Sequence, residues 1–165
     1  PALQARLSQP FGQSADPAGR MVFDGAGNLY FADTSNDRIR RVAPDGTITT
    51  VIGNGEFGPG DATTDPLQVS LAHPTDVDIG PDGTLFVADT ANSCIRALKD
   101  GVIRTVVGTC GQRGNTGLQG PAKELLLNRP YGISLDPDGN LYVADTHNQR
   151  ILRIQAPLDG SPAQP

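Results

Sequence analysis

The sequence predicts an all-β protein, a β-propeller of three blades with about four antiparallel strands each, and three observations support this. The tripeptide Ala-Asp-Thr occurs at 32–34, 88–90 and 144–146, so both intervals are 56 residues, and a fixed period of this size indicates a repeat architecture. Within each repeat, apolar residues alternate over short stretches, which is typical of half-buried strands. The chain contains 20 Gly and 14 Pro, and this density of turn residues favours short strands over long helices.

The third copy of the repeat shows the expected order of strands. Residues 131–135 form a first short strand, and the tight turn Asp136-Pro137-Asp138-Gly139 follows, because Pro presets φ and Gly accepts a positive φ. Residues 141–144 and 150–154 predict a second and a third strand. In the first two copies a fourth strand is expected at 47–52 and 102–107, after a turn that contains Asp-Gly. Four strands chained by hairpins make a propeller blade.

The predicted blades fill a single unit over residues 1–165. They extend over about 10–60, 71–118 and 127–155, and the third blade lacks its fourth strand. The stretches 53–74 and 108–130 contain few strand signals, so they carry the chain from the outer strand of one blade to the inner strand of the next. A short helical turn is expected within 122–127. Helical repeats are the competing architecture, and the repeated hairpin turns disfavour them.

The repeat resembles the NHL repeat, most strongly in the third copy. Residues 130–151 read Pro-x-Gly-Ile and then Asp-Pro-Asp-Gly-Asn-Leu-Tyr-Val-Ala-Asp-Thr-x-Asn-x-Arg-Ile. The segments 51–55, 106–111 and 127–130 are also similar to that family, so the resemblance covers nearly the whole chain. It implies a propeller, generally of six blades, that serves as a binding platform. A minority of the family are enzymes, such as the peptidyl-hydroxyglycine amidating lyases, and some members bind RNA through a basic face.

The polar residues of the motif are interpreted as structural rather than catalytic. An active site is needed once, whereas these residues recur, and Asp or Asn after a strand can bond backbone N–H groups in a turn. An Arg could pair with the Asp of its own or the neighbouring blade. The second blade has Cys94 where the other two have Arg, so it is expected to lack this pairing. The structural set comprises Asp33, Asn36, Arg38, Asp89, Asn92, Asp145, Asn148 and Arg150.

Cys94 and Cys110 are predicted to form a disulfide. Cys94 opens the third strand of the second blade and Cys110 follows the fourth, so antiparallel pairing around the turn at 100–101 brings them together. Closing such a loop contributes about 3 kcal/mol to stability. The alternative is a pair of small buried thiols. The disulfide favours an extracytoplasmic location, either periplasmic or secreted.

Charge and motif content disfavour several classes of function. The net charge is −5 and the pI is near 4.8, so neither nucleic acid nor a membrane surface is an expected partner. The turn at 136–139 resembles the start of a calcium loop, but Leu141 and His147 stand where an EF-hand needs Gly and an acid. His73 and His147 occupy different repeat positions and are too few for the metal site of the amidating lyases. No metal and no cofactor are therefore expected.

A ligand or partner surface is expected where the loops enter the inner strands. The least repetitive residues there are the candidates for binding: Arg20 near the first inner strand, Thr75 and Asp76 before the second, and Tyr131 before the third. The segment 11–16 has no counterpart in the other copies and could form an added binding loop. Ordinary loop variation is the alternative explanation for all of these differences.

Three blades are too few to close a ring, because propellers have about four to eight. An open arc would expose apolar blade faces and unpaired edge strands. A homodimer with a twofold axis would supply six blades, so the chain is expected to form half of a six-bladed ring. The alternative is that the remaining blades belong to a longer polypeptide.

The sequence favours a non-enzymatic interaction module that binds a protein, a peptide or another ligand, because it contains no singular catalytic constellation. The alternative is a lyase or hydrolase whose site forms at the channel mouth once the propeller is complete. That function would require a bound metal or a role for His73, Asp76 or His147. RNA binding is a third candidate, and the acidic charge disfavours it.

Overall fold

The computed structural model describes residues 20–60, 63–116 and 120–158, which form short strands joined by tight turns. None of the helices in these residues is long or apolar enough to cross a bilayer. The strands are β1 (Met21–Phe23), β2 (Leu29–Asp33), β3 (Arg38–Val42), β4 (Ile48–Ile52), β5 (Asp76–Ile79), β6 (Leu85–Asp89), β7 (Cys94–Lys99), β8 (Val102–Val107), β9 (Pro130–Leu135), β10 (Leu141–Asp145) and β11 (Arg150–Ile154). Within the described part of the chain, 3-10 turns lie at Thr34–Asn36, Ala122–Glu124 and Thr146–Asn148.

The strands form three antiparallel sheets that follow the repeats. Sheet 1 has the order β1-β2-β3-β4, sheet 2 the order β5-β6-β7-β8, and sheet 3, over the described residues, the order β9-β10-β11. In each sheet the Asp that ends the second strand lies opposite the first residue of the third: Asp33 opposite Arg38, Asp89 opposite Cys94, and Asp145 opposite Arg150. The predicted all-β fold of repeated blades is confirmed. The blade boundaries and the ring of six stay predictions.

The turn between the first two strands of each sheet is built by Asp and Gly. In sheet 3, Oδ1 of Asp136 accepts hydrogen bonds from the backbone N–H of Asp138 at 3.1 Å and of Asn140 at 2.8 Å. Gly139 has φ of 82° there, and the equivalent Gly27 has φ of 81°. A side chain is strained at such a φ, so the repeated Asp and Gly are explained by the turn itself.

Two hydrophobic cores hold the three sheets face to face. The first core lies between sheets 1 and 2 and includes Ala32, Ile39, Ile52, Val77, Val87 and Ile103. The second core lies between sheets 2 and 3 and includes Ala88, Ile95, Val107, Leu127, Leu141, Val143 and Leu152. Sheet 2 therefore packs on both of its faces, because alternate residues of one strand point to opposite sides.

Among the described residues, sheets 1 and 3 each have one face without a neighbouring sheet. In β2, Ala32 belongs to the first core, so the alternate residues of that strand and their partners on β1 lie on the other side. This first outer face carries Met21, Phe23, Leu29 and Phe31. The same alternation in β10 and β11 defines the second outer face, which carries Tyr142, Ala144, Ile151 and Arg153.

Candidate functional site

A buried carboxylate organises the end of sheet 2 where β6 turns into β7. Asp89 is fully buried, and its Oδ1 accepts a hydrogen bond from the backbone N–H of Ala72 at 2.8 Å. Its Oδ2 accepts from the side-chain amide of Asn92 and from Nε of Arg96, both at 2.8 Å. The guanidinium of Arg96 also donates to the carbonyl of Pro59 at 2.6 Å. One carboxylate thereby ties the strand end to the segment that leads in from sheet 1.

Sheet 3 repeats this arrangement with an Arg from a different position. Oδ1 of Asp145 accepts from the backbone N–H of Asn128 at 2.7 Å, and Oδ2 accepts from Asn148 at 2.8 Å. Nε of Arg150 donates to Oδ2 of Asp145 at 2.7 Å, and its Nη1 donates to the carbonyl of Thr116 at 2.9 Å. As in sheet 2, the Arg that pairs with the motif Asp also bonds the segment that leads into the sheet from the preceding one.

Sheet 1 divides these contacts between two arginines. The side-chain amide of Asn36 donates to both oxygens of Asp33, at 2.9 and 3.0 Å. Arg38 donates to the carbonyl of Asn54 at 2.8 Å. Nε of Arg40 lies 3.9 Å from Oδ2 of Asp33, so the ion pair comes from β3's third residue rather than its first.

The prediction that the second blade lacks an Asp–Arg pair is wrong. Cys94 does replace the Arg found at the first position of the third strand, but Arg96 supplies the pair from two residues further on. The reason is the two-residue period of a strand, which places both positions on the same side of the sheet. A search of each strand for a cation at either position would have found the pair.

These networks leave the motif carboxylates closed to a ligand. Asp89 and Asp145 are fully buried, and each accepts hydrogen bonds from one backbone amide and two side chains of the molecule itself. Burial raises the pKa of the Asp89 carboxyl, and the charge of Arg96 opposes that increase. A carboxylate held by three donors can neither attack a substrate nor exchange a proton with solvent readily. The contacts support the structural interpretation of the motif.

The structure joins Cys94 and Cys110 in a disulfide, as the strand order predicts. The S–S distance is 2.01 Å and the Cα atoms are 5.0 Å apart. A carboxylate oxygen of Asp89 lies within 4.8 Å of both sulfurs. This is the one grouping with metal-ligand chemistry over residues 20–60, 63–116 and 120–158, and its sulfurs are bonded to each other rather than present as thiolates.

Two of the predicted binding residues lie in a seam between the inner strands of sheets 2 and 3. The hydroxyl of Thr75 bonds with that of Thr90 and donates to the carbonyl of Tyr131 at 2.9 Å. Oδ2 of Asp76 accepts from the backbone N–H of Ile133 at 2.8 Å, and burial raises the pKa of this carboxyl. Both side chains are buried, so they link the sheets. Ligand binding by either stays a prediction.

Asp78 extends this seam and was not predicted. Its Oδ2 accepts from the backbone N–H of Leu135 at 2.8 Å. Arg20, which was predicted, donates to the carbonyl of Ile133 at 3.2 Å and lies 3.5 Å from Oδ2 of Asp78. The signal was the alternation Asp-x-Asp in β5, which places both carboxylates opposite the apolar side chains.

Aromatic and imidazole rings collect at the end of the molecule where the β6–β7 and β10–β11 turns lie, here called the upper end. The rings of Phe57 and His73 are 5.2 Å apart, and those of Tyr131 and His147 stack at 6.1 Å. Phe57 and His147 are exposed, and the other two rings are half-buried. The predicted binding loop at 11–16 lies outside the described residues.

Antiparallel sheets of three or four described strands, which pack face to face and each carry an Asp–Asn–Arg network, define a β-propeller built from repeated blades. The chain belongs to the teneurin NHL domain family, whose family model matches residues 2–156. The predicted family resemblance is thus confirmed. Among curated relatives, the chain is 33% identical to Teneurin-m of Drosophila melanogaster over 137 residues, which is 77% of this chain and 5% of that protein. It is 29% identical to human Teneurin-4, over 93% of this chain and 6% of that protein.

Solved structures share the fold at low sequence identity. A Bacteroides thetaiotaomicron protein of unknown function superposes with a TM-score of 0.68 at 22% identity, over 79% of this chain and 33% of that one. An auxiliary nutrient binding protein from Bacteroides ovatus superposes with a TM-score of 0.63 at 22% identity, over 82% of this chain and 37% of that one. Virginiamycin B lyase from Staphylococcus aureus superposes with a TM-score of 0.51 at 18% identity, over 89% of this chain and 43% of that one.

The compared proteins are all longer than this chain. It spans about 5–6% of the teneurins and 14% of the chloroplastic protein Suppressor of Quenching 1 from Arabidopsis thaliana, to which it is 30% identical. It also spans less than half of each superposed structure named above. The superposed chains therefore contain further structure beyond the part that matches three blades.

Proposed function

We propose that this chain is a non-enzymatic interaction module, and that two copies complete a six-bladed propeller whose upper end binds a protein or peptide. One observation supports closure of the ring by two copies. The two outer faces expose large apolar side chains at repeat positions that are buried or partly buried in the sheets with a neighbour on that side. Met21, Phe23 and Ile151 are 65%, 68% and 69% exposed.

The repeat supplies an internal control for each exposed side chain. Ile151 is the third-blade equivalent of Ile39 and Ile95, which are both 0% exposed. Met21 is the first-blade equivalent of Val77 and Ile133, which both lie in cores. Burying one such side chain contributes about 1.5–3 kcal/mol. Covering both outer faces therefore supplies a substantial driving force for association, and exposed apolar patches of this kind mark interaction surfaces.

The two outer faces differ in type, and this difference determines how they can pair. The second outer face of sheet 3 uses the same repeat positions as the side of sheet 2 that packs on sheet 3. The first outer face of sheet 1 uses the same repeat positions as the other side of sheet 2, which packs on sheet 1. The second face of one copy therefore matches the first face of another. A twofold axis then produces two such junctions and closes a ring of six blades, whereas a chain of copies without closure would give a fibre.

Sedimentation velocity on surface variants tests this pairing. Phe23→Asp and Ile151→Asp are each expected to yield monomers, because each places a charge in both junctions of the dimer. Phe57→Asp is the matched control: Phe57 is 63% exposed but lies on neither outer face, so this variant should sediment like the unmodified chain. Dissociation by only one of the two outer-face substitutions would contradict pairing of unlike faces. A monomeric unmodified chain would favour the rival, further blades of a longer polypeptide.

The binding role rests on the chemistry of the upper end. The motif carboxylates are engaged in the blade networks, whereas Phe57, Tyr131 and His147 present aromatic surface there. Aromatic side chains contribute much of the binding energy in protein interfaces. A lyase or hydrolase at the channel mouth is the alternative, because a virginiamycin B lyase that shares the fold is described as inactive after a His-to-Ala replacement. Stoichiometric bound metal in the purified chain would support that alternative, as would a turnover lost in His147→Ala.

The disulfide supports an extracytoplasmic location as part of the proposal. Disulfides persist in oxidising compartments and are rare where thiols are kept reduced. The measurement is alkylation of the protein under denaturing, non-reducing conditions directly after isolation from its source. The proposal expects Cys94 and Cys110 to remain unlabelled, and full labelling of both would contradict it.

A further inference from the structure

A cleft of about 400 Å³ opens between sheets 2 and 3, at the end of the molecule opposite the motif networks. Its mouth is formed by the β5–β6 and β9–β10 turns, and the chain after β11 closes one side at Leu158. Phe86, Val106 and Leu135 give it apolar walls. A cleft of this size is within the range of small-molecule sites in proteins.

A missing side chain explains why the cleft exists. Ala97 lines it, and the equivalent residues of the other sheets are Arg41 and Arg153. In sheet 1, the Arg41 side chain lies beside the hydroxyl of Tyr30, the residue equivalent to Phe86. At sheet 2 the methyl group of Ala97 leaves that volume open. The cleft is therefore a property of the second blade rather than of the repeat.

The charged groups of the cleft favour an anion, although the chain carries a net charge of −5. Lys99 and Asp82 form an ion pair with each other, so they neutralise one another. Arg104 and Lys123 also line the cleft, and neither side chain has a hydrogen bond or ion pair with another residue among those the structure describes. Asp138 is the remaining acidic residue on the lining. Two uncompensated cations thus face one uncompensated carboxylate beside an apolar wall.

We propose that this cleft binds an amphipathic organic acid, with its carboxylate on Arg104 and Lys123 and its apolar body against Phe86, Val106 and Leu135. An Arg guanidinium recognises carboxylates through paired N–H donors, and an adjacent apolar wall lowers the local dielectric and strengthens the contact. The acid can be a small aromatic or aliphatic molecule or the free C-terminus of a peptide, because both present the same group. The site lies within one chain, so it does not depend on the pairing of outer faces.

Chemical-shift mapping on the ¹⁵N-labelled chain tests the site with defined probes. One pair is 1-naphthylacetate and 1-naphthylacetamide, and the other is an acetylated Leu-Phe dipeptide with a free or an amidated C-terminus. At least one acid is expected to bind tenfold or more tightly than its amide, with shifts centred on the cleft. Binding of the naphthyl acid alone would indicate a small organic acid as ligand, and binding of the peptide acid alone a peptide C-terminus.

Three variants separate the cleft from general surface binding. Ala97→Arg copies the first blade and is expected to abolish binding by filling the volume. Arg104→Gln, which leaves the core unchanged, is expected to reduce the preference for acid over amide to less than threefold. Arg113→Gln removes the same charge at an exposed site outside the cleft and should leave binding unchanged. Equal affinity for acid and amide, unchanged binding in the first two variants, or shifts centred on Met21 would overturn the proposal.

Discussion

Replacing Arg96 by Leu removes the cation from the most deeply buried ion pair of the described residues. Leu is the residue that the third blade carries at the equivalent position, 152, so the substitution is compatible with the strand and with burial. The Arg96 and Asp89 side chains are 5% and 0% exposed, and their Nε–Oδ2 distance is 2.8 Å. The substitution therefore leaves the Asp89 carboxylate buried with no cation beside it.

The expected loss of stability follows from that burial. Breaking a buried pair by removing one partner costs about 3–5 kcal/mol, because the remaining charge is uncompensated. The carbonyl of Pro59 also loses its donor. Asp89 keeps the Asn92 amide and the Ala72 N–H, which limits the loss. For a chain of this size the melting temperature should fall by about 10 °C or more.

Arg40→Leu provides a control at the same repeat position. Arg40 is 20% exposed, and its Nε lies 3.9 Å from Asp33. Nη1 of Arg40 donates a hydrogen bond to Oγ1 of Thr50 at 2.6 Å. The expected loss is about 1 kcal/mol, the usual net contribution of one such bond. Urea denaturation and differential scanning calorimetry on both variants, with the disulfide intact, measure the difference.

Two results would contradict the expected cost of leaving the Asp89 charge unpaired. If Arg96→Leu lost less than about 1 kcal/mol, then the Asp89 charge would not need its partner, against the cost expected for an unpaired buried charge. If both variants lost the same amount, burial would not distinguish the two pairs. Arg96→Lys adds a further check, since it retains the charge without the planar fork and should lie between Leu and the unmodified chain.

Three other changes have defined outcomes. Ile39→Ala should cost about 2–5 kcal/mol in urea denaturation, because Ile39 is 0% exposed in the first core. Replacing Cys94 by Ala and Cys110 by Ser should cost about 3 kcal/mol through loss of the loop constraint, again measured in urea. The hydrogen bond from Lys99 lowers the pKa of Asp82 from 3.8 to about 2, so the stability from this pair is present above pH 3.8 and lost as pH falls through about 2. Lys99→Gln should raise the carboxyl pKa, as followed by NMR titration.

The fold could be predicted from the sequence because the same short pattern occurs three times. The Gly of the hairpin turn recurs in every blade, since the positive φ of Gly27, Gly83 and Gly139 admits few other residues. Apolar residues such as Ile39 and Ile95 recur because each packs a similar core. Residues that every blade needs recur at a fixed interval in the sequence. Residues that form a single site do not recur, so no such interval indicates them.

The parts that differ between blades were harder to predict. The role of Arg96 could not be predicted by aligning the repeats, because the position equivalent to Arg38 and Arg150 is Cys94. The Asp89 carboxylate is instead reached from Arg96, two residues further along the same side of the strand. The cleft beside Ala97 was missed for a related reason. From the sequence, an Ala on a strand is expected to be an ordinary core residue. Only the packing of sheets 2 and 3 shows that the side chains around Ala97 leave a cleft.

Light scattering on a size-exclusion column, over a concentration series, tests most directly whether the two outer faces cover one another. One chain has a mass of 17.3 kDa. We expect a stable species of about twice that mass, with no larger assembly as concentration rises, because a closed ring leaves no outer face exposed. A folded monomer at every concentration would contradict it, and so would growth into polymers, since unlike faces would then pair without closing a ring.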